Sequence, residues 1–128
     1  MTGARKKLSR KELGRWGEGI ARDYLVDCGL TFIDQNYRTA DGEIDLIMKD
    51  QSTLVFVEVK TRYNILSGLP EEAVDELKME HLEAAIGWYF QEHSVSDDDW
   101  QLDVITIIGY PSDPAPQIDW FRNVTANE

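Results

Sequence analysis

The sequence predicts an α/β fold: a single mixed β-sheet with helices on both faces, in the order α-β-β-β-α-β-β. Two helical stripes separated by strand-like runs carry this prediction. So does one central run that is apolar on both faces, as a strand covered from either side must be. At 128 residues and 14.7 kDa the chain has the size of one domain. That length can bury a core without a disulfide or a structural metal. Hydrophobic residues at 42% and charged residues at 29% exclude disordered, collagenous and membrane-spanning classes.

Residues 1–8 read as a mobile basic arm, and 9–128 as the single domain. Ser9 followed by Glu12 forms a capping box, in which each side chain satisfies a free backbone donor at a helix start. Leu13, Trp16, Ile20, Ala21, Tyr24 and Leu25 then fall on one helical stripe, and Cys28-Gly29 supplies the stop. Gly14, Gly17 and Gly19 each cost such a helix about 1 kcal/mol relative to Ala, so close packing is expected around them. Strands follow at about 31–38, 42–49 and 53–61, with a turn at Asp50-Gln51-Ser52-Thr53. Gly68-Leu69-Pro70 opens a second helix over about 71–91, with its stripe at Val74, Leu77, Leu82, Ala85 and Tyr89. Leu102–Ile108 is the fourth strand, Pro111–Pro116 a loop, and Ile118–Val124 an edge strand.

The lone Cys28 cannot form an internal disulfide, which suits a reducing compartment. After Arg5-Lys6-Lys7 there is no apolar run of signal-peptide length, so a cytoplasmic location and no membrane partner are expected. Net charge is −11, but it is unevenly spread. Residues 1–62 hold 11 of the 13 Lys and Arg, with six of them between Arg5 and Arg15. The second half holds only Lys78 and Arg122 against 14 acids. A polyanion would be repelled by that half and could meet only the first. The run from Arg5 to Arg15 reads as a solvated basic face or an arm that contacts phosphate.

The informative residues are charges inside apolar strands. Asp45 lies between Ile44 and Leu46, and Glu58 and Lys60 interrupt the run Leu54-Val55-Phe56-Val57-Glu58-Val59-Lys60. A charge in a covered strand is costly unless paired or coordinated. If the turn is centred on Gln51-Ser52, Asp45 faces Glu58 and Glu43 faces Lys60. Two carboxylates that close repel unless a cation joins them, and hard oxygen donors suit Mg²⁺ or Mn²⁺. A one-residue slip would send the two acids to opposite faces. The competing reading puts Asp45 and Glu58 at exposed strand ends, or pairs them with Lys60 and Arg62. Glu18 at the edge of the first stripe reads alone as a solvated helix residue. Asp103 reads as a ligand or a strand start, and His81 as a packed histidine.

At these residues the chain resembles the YraN-like family of small, uncharacterised bacterial proteins with a restriction-endonuclease-like (PD-(D/E)XK) fold. The resemblance rests on Gly17-Glu18, Asn36-Tyr37-Arg38, Gly42-Glu43-Ile44-Asp45-Leu46-Ile47, Phe56-Val57-Glu58-Val59-Lys60-Thr61-Arg62, Lys78 and Asp103-Val104-Ile105. It implies that Asp45 and Glu58 hold a divalent metal, that Lys60 orients or activates the attacking water, and that Glu18 completes the site. The expectation is a Mg²⁺- or Mn²⁺-dependent nuclease that hydrolyses DNA phosphodiesters, acting on branched or damaged DNA. The alternative is a non-catalytic nucleic-acid-binding or protein-adaptor domain on the same scaffold. A homodimer or a protein partner would engage the acidic second half.

Overall fold

A computed structural model describes residues 8–64, 76–93 and 99–124. Its elements are α1 (Arg10–Asp27), β1 (Thr31–Arg38), β2 (Glu43–Asp50), β3 (Thr53–Arg62), α2 (Glu76–His93), β4 (Trp100–Ile108) and β5 (Gln117–Phe121). The five strands form one sheet in the order β1-β2-β3-β4-β5. β3 and β4 are parallel and every other neighbouring pair is antiparallel. The predicted element order and mixed sheet are therefore present. Most of the basic arm, and the expected start of the second helix at Gly68-Leu69-Pro70, lie outside the described residues.

Ser9 caps α1 as expected: its hydroxyl accepts from Glu12 N–H while Glu12 accepts from Ser9 N–H. Gly29, at φ +102°, ends it. Alternate residues of β3 then divide the core. Val55, Val57 and Val59 pack with Ala21 and Leu25 of α1, while Leu54 and Phe56 pack with Leu82, Ala85, Ile86 and Tyr89 of α2. Only one of the three α1 glycines is there for packing. A Cβ on Gly17 would lie 1.9 Å from Thr61 Oγ1, whereas Gly14 and Gly19 have nothing within 4 Å.

Asp103 is structural. Fully buried, it accepts from Gln101 Nε2, Trp120 Nε1 and the Asn123 N–H, each at 2.8 Å, and so fastens β5 to β4. With the Asn123 N–H held there and Asn123 itself at φ 52°, the chain turns away after Phe121, so β5 is shorter than the pattern through Val124 predicts. Trp88-Tyr89-Phe90 is mainly core. Tyr89 is buried and Phe90 packs on Phe56, while the more exposed Trp88 donates to Asp41. No helix among the described residues is long and apolar enough to cross a membrane.

Candidate active site

The β2–β3 register is the one the centred turn predicts: Asp50 pairs with Thr53 and the ladder runs to Leu46 opposite Val57. The next position brings Asp45 to Glu58. There the backbone ladder stops, and Asp45 Oδ2 accepts the Val59 N–H at 2.9 Å. The Asp45 side chain thus holds β3 where a backbone carbonyl otherwise would. Both acids are buried, Asp45 at 9% and Glu58 at 3% exposure. The exposed-strand-end reading fails on those values.

Gly42 sets how closely this corner meets α2. A Cβ there would lie 2.3 Å from the His81 carbonyl oxygen, so the β1–β2 turn needs glycine to approach the helix backbone. Thr39 closes the turn, its Oγ1 accepting from the Gly42 N–H at 3.0 Å and donating to the Gly42 carbonyl at 2.8 Å. Trp88 Nε1 ties the same turn to α2 through Asp41 at 2.9 Å. His81 contributes backbone to this contact while its side chain is exposed at the cavity rim, so it is not the packed core histidine its stripe suggests.

Glu18, Glu43, Asp45, Glu58 and Lys78 line one cavity of about 510 Å³. Burial, and after it the Glu58 charge, push the Asp45 carboxyl from its ordinary 3.8 up to about 8. A hydrogen bond with Glu58 works in the same direction, so without a bound metal ion the Asp45 carboxyl is held toward its protonated form. Burial also raises Glu18, as do Glu43 and Glu58, against a lowering hydrogen bond from Asn36. Lys78 forms an ion pair with Glu58. Burial opposes its charge, but Glu58 prevails and raises its proton affinity. Lys60 is shifted down by burial and then by the neighbouring Lys78 ammonium.

The sequence-predicted residues are not all equally assembled. Asp45 and Glu58 are in contact, and Lys60 lies near Glu58 and next to Lys78, outside the set of residues that line the cavity. The ladder ends short of Glu43 and Lys60; Glu43 lines the cavity and has Arg38 as an ionic neighbour 3.9 Å away. Glu18 lines the cavity from α1 and is bonded to Asn36. Among the described residues, no three His, Cys, Asp or Glu side chains are gathered closely enough to hold one ion. The donor set is thus two buried carboxylates with open cavity beside them. That set fits Mg²⁺ or Mn²⁺, which take one or two protein carboxylates and fill the remaining positions with water and phosphate oxygens.

Two contributors, Lys78 and Asn36, fall within the matching motifs but receive no site role from the sequence. Lys78 is visible as the sole Lys or Arg between Glu76 and His93, but its reach to Glu58 depends on where α2 packs against the sheet. Asn36 has φ 52°, a left-handed conformation that asparagine tolerates, within a segment whose composition reads as plain strand.

The comparisons agree with the motifs. The model of "Uncharacterised protein family UPF0102" matches residues 17–107. A UPF0102 protein of Syntrophotalea carbinolica is 42% identical over 98 residues, covering 77% of this chain and 80% of its own. One from Dehalococcoides mccartyi is 35% identical over 120 residues, with 94% and 98% covered. A third, from Vibrio parahaemolyticus, is 40% identical over 117 residues, with 91% and 93% covered. The matched span includes Glu18, Asp45, Glu58, Lys60 and Lys78, and the chain belongs to the UPF0102 family.

Proposed function

We propose that this chain is a divalent-metal-dependent nuclease that hydrolyses DNA phosphodiesters, with branched or damaged DNA as its substrate class. The observation that carries the reading is the buried Asp45–Glu58 pair, which lines an open cavity together with Glu18 and Lys78, with Lys60 near Glu58. Asp45 and Glu58 would hold Mg²⁺ or Mn²⁺. When bound, the ion supplies charge for the phosphoryl oxygens and a more acidic water.

The remaining work falls to the chain. The Val59 N–H holds Asp45 in place, so the carboxylate is oriented before any ligand arrives. Lys60 projects positive charge toward the developing phosphorane, and its lowered proton affinity suits exchange of a proton with the attacking water. Lys78 balances Glu58 and keeps a second cation at the cavity. Glu18 borders the same space and can orient water there.

The Lys78–Glu58 ion pair and the net charge of −11 favour one other reading, a non-catalytic nucleic-acid-binding or adaptor domain. In that case Lys78 is the permanent counter-ion. A cleavage assay in Mn²⁺ and in Mg²⁺ over linear, flapped and four-way-junction DNA separates the two. Cutting by wild type but not by identically purified Glu58→Ala supports the nuclease. DNA binding that persists in chelator, with no cutting in either metal, supports the binding domain.

A further inference from the structure

A second, smaller cavity of about 250 Å³ adjoins the first, and Glu18 lines both. Its other walls are Arg15, Gly19 and Arg22 of α1, and Gln35 and Asn36 of β1. Arg15, Glu18 and Arg22 are spaced i, i+3, i+7, so they share one helix face with an arginine one turn to either side of the glutamate. Lys11, four residues before Arg15, extends the same stripe.

We propose that this cavity is a phosphate subsite holding the nucleic-acid backbone next to the reacting phosphodiester, with Arg15 and Arg22 as its cations and Gln35 and Asn36 as its neutral donors. The inference rests on the nuclease reading for the identity of the neighbouring site. Guanidinium groups match phosphate oxygens in bidentate geometry, and amide N–H groups add donors without charge. A volume of that size exceeds the share of several waters, enough for one phosphodiester group. Arg22 Nη1 donates to Gln35 Oε1 at 3.0 Å, a neutral acceptor that leaves its charge in place. Its ionic neighbour Asp23 is exposed and 3.4 Å away, a contact that phosphate can outcompete. Glu18 is the one carboxylate among the lining residues, and it stands on the boundary with the first cavity. A chain of net charge −11 thereby gains a local cationic track beside the site, made of Lys11, Arg15 and Arg22. Contacts of this kind read no sequence, so the subsite positions the backbone and leaves the choice of substrate to DNA shape.

The test is fluorescence anisotropy with a short labelled duplex and its single strand, in chelator, across a salt series. Wild type is compared with Arg15→Gln, Arg22→Gln and, as a control on the opposite half of the chain, Arg122→Gln. Each α1 variant should bind about tenfold more weakly, and its log–log salt slope should be shallower by about 0.9 on duplex and 0.7 on single strand. Arg122→Gln should match wild type. In cleavage assays the α1 variants should raise KM and keep kcat. Equal slopes and affinities in all four proteins, or no binding by wild type to either strand form at low salt, would overturn the subsite. Slope loss in the α1 variants from a wild type that cleaves nothing would uphold the subsite and remove the nuclease reading. Unchanged slopes alongside metal-dependent cutting would do the reverse.

Discussion

Replacing Asp45 by Asn should stabilise the metal-free protein at neutral pH, although it removes a residue proposed to be essential. The buried carboxyl is held up at about 8 against an ordinary 3.8. Its folded-state proton affinity exceeds that of the unfolded chain, so the associated stability is complete below about pH 4 and is lost as pH rises through 8. At about 1.4 kcal/mol per pH unit, the three units between the ordinary value and neutrality make ionisable Asp45 cost about 4 kcal/mol at pH 7. An amide side chain carries no such cost. Its Oδ1 can keep the Val59 N–H at the 2.9 Å contact, and its amide can donate to Glu58 where the retained proton does. Urea unfolding in chelator at pH 5, 6, 7 and 8 reads this directly. The Asp45→Asn variant should gain on wild type by about 3 kcal/mol between pH 5 and 7. A difference that does not change with pH would refute the reasoning, because Asp45 would then be ionised in the fold with Lys78 or Lys60 as sufficient counter-ion.

Glu58→Ala should abolish both cleavage and divalent-ion binding, whereas Lys60→Ala should lose turnover more than metal affinity; calorimetry with Mn²⁺ and single-turnover cleavage separate the two. Gly17→Ala should cost about 1–3 kcal/mol in denaturant unfolding, because its Cβ would fall 1.9 Å from Thr61 Oγ1. Gly14→Ala, with nothing within 4 Å, should instead gain up to about 1 kcal/mol. Asp103→Ala should destabilise by about 2–4 kcal/mol, since three donors lose their acceptor, and leave Mn²⁺ affinity unchanged.

Much of the site was legible because a charge inside an apolar strand is conspicuous and strand register is simple arithmetic. Centring the turn on Gln51-Ser52 was enough to bring Asp45 to Glu58, and the ladder from Asp50–Thr53 to Leu46–Val57 has that register. The ladder ends before that arithmetic reaches Glu43 and Lys60, and the ionic neighbour of Glu43 is Arg38. Contacts between elements were hidden for another reason. Lys78 reaching Glu58, Asn36 bonding Glu18 and the His81 carbonyl against Gly42 depend on how α1, β1 and α2 are placed around the sheet. Local periodicity does not encode those placements. It also cannot tell a glycine kept for packing, such as Gly17, from Gly14 on the same helix.

The central claim, that Asp45 and Glu58 form a divalent-cation site, is tested most directly by Mn²⁺ titration of wild type, Asp45→Asn and Glu58→Gln at pH 7. Wild type should bind Mn²⁺ with release of a proton, as the retained proton of the pair is displaced, and both variants should lose that binding and that release. Equal Mn²⁺ affinity in all three proteins, or no binding to wild type, would contradict it.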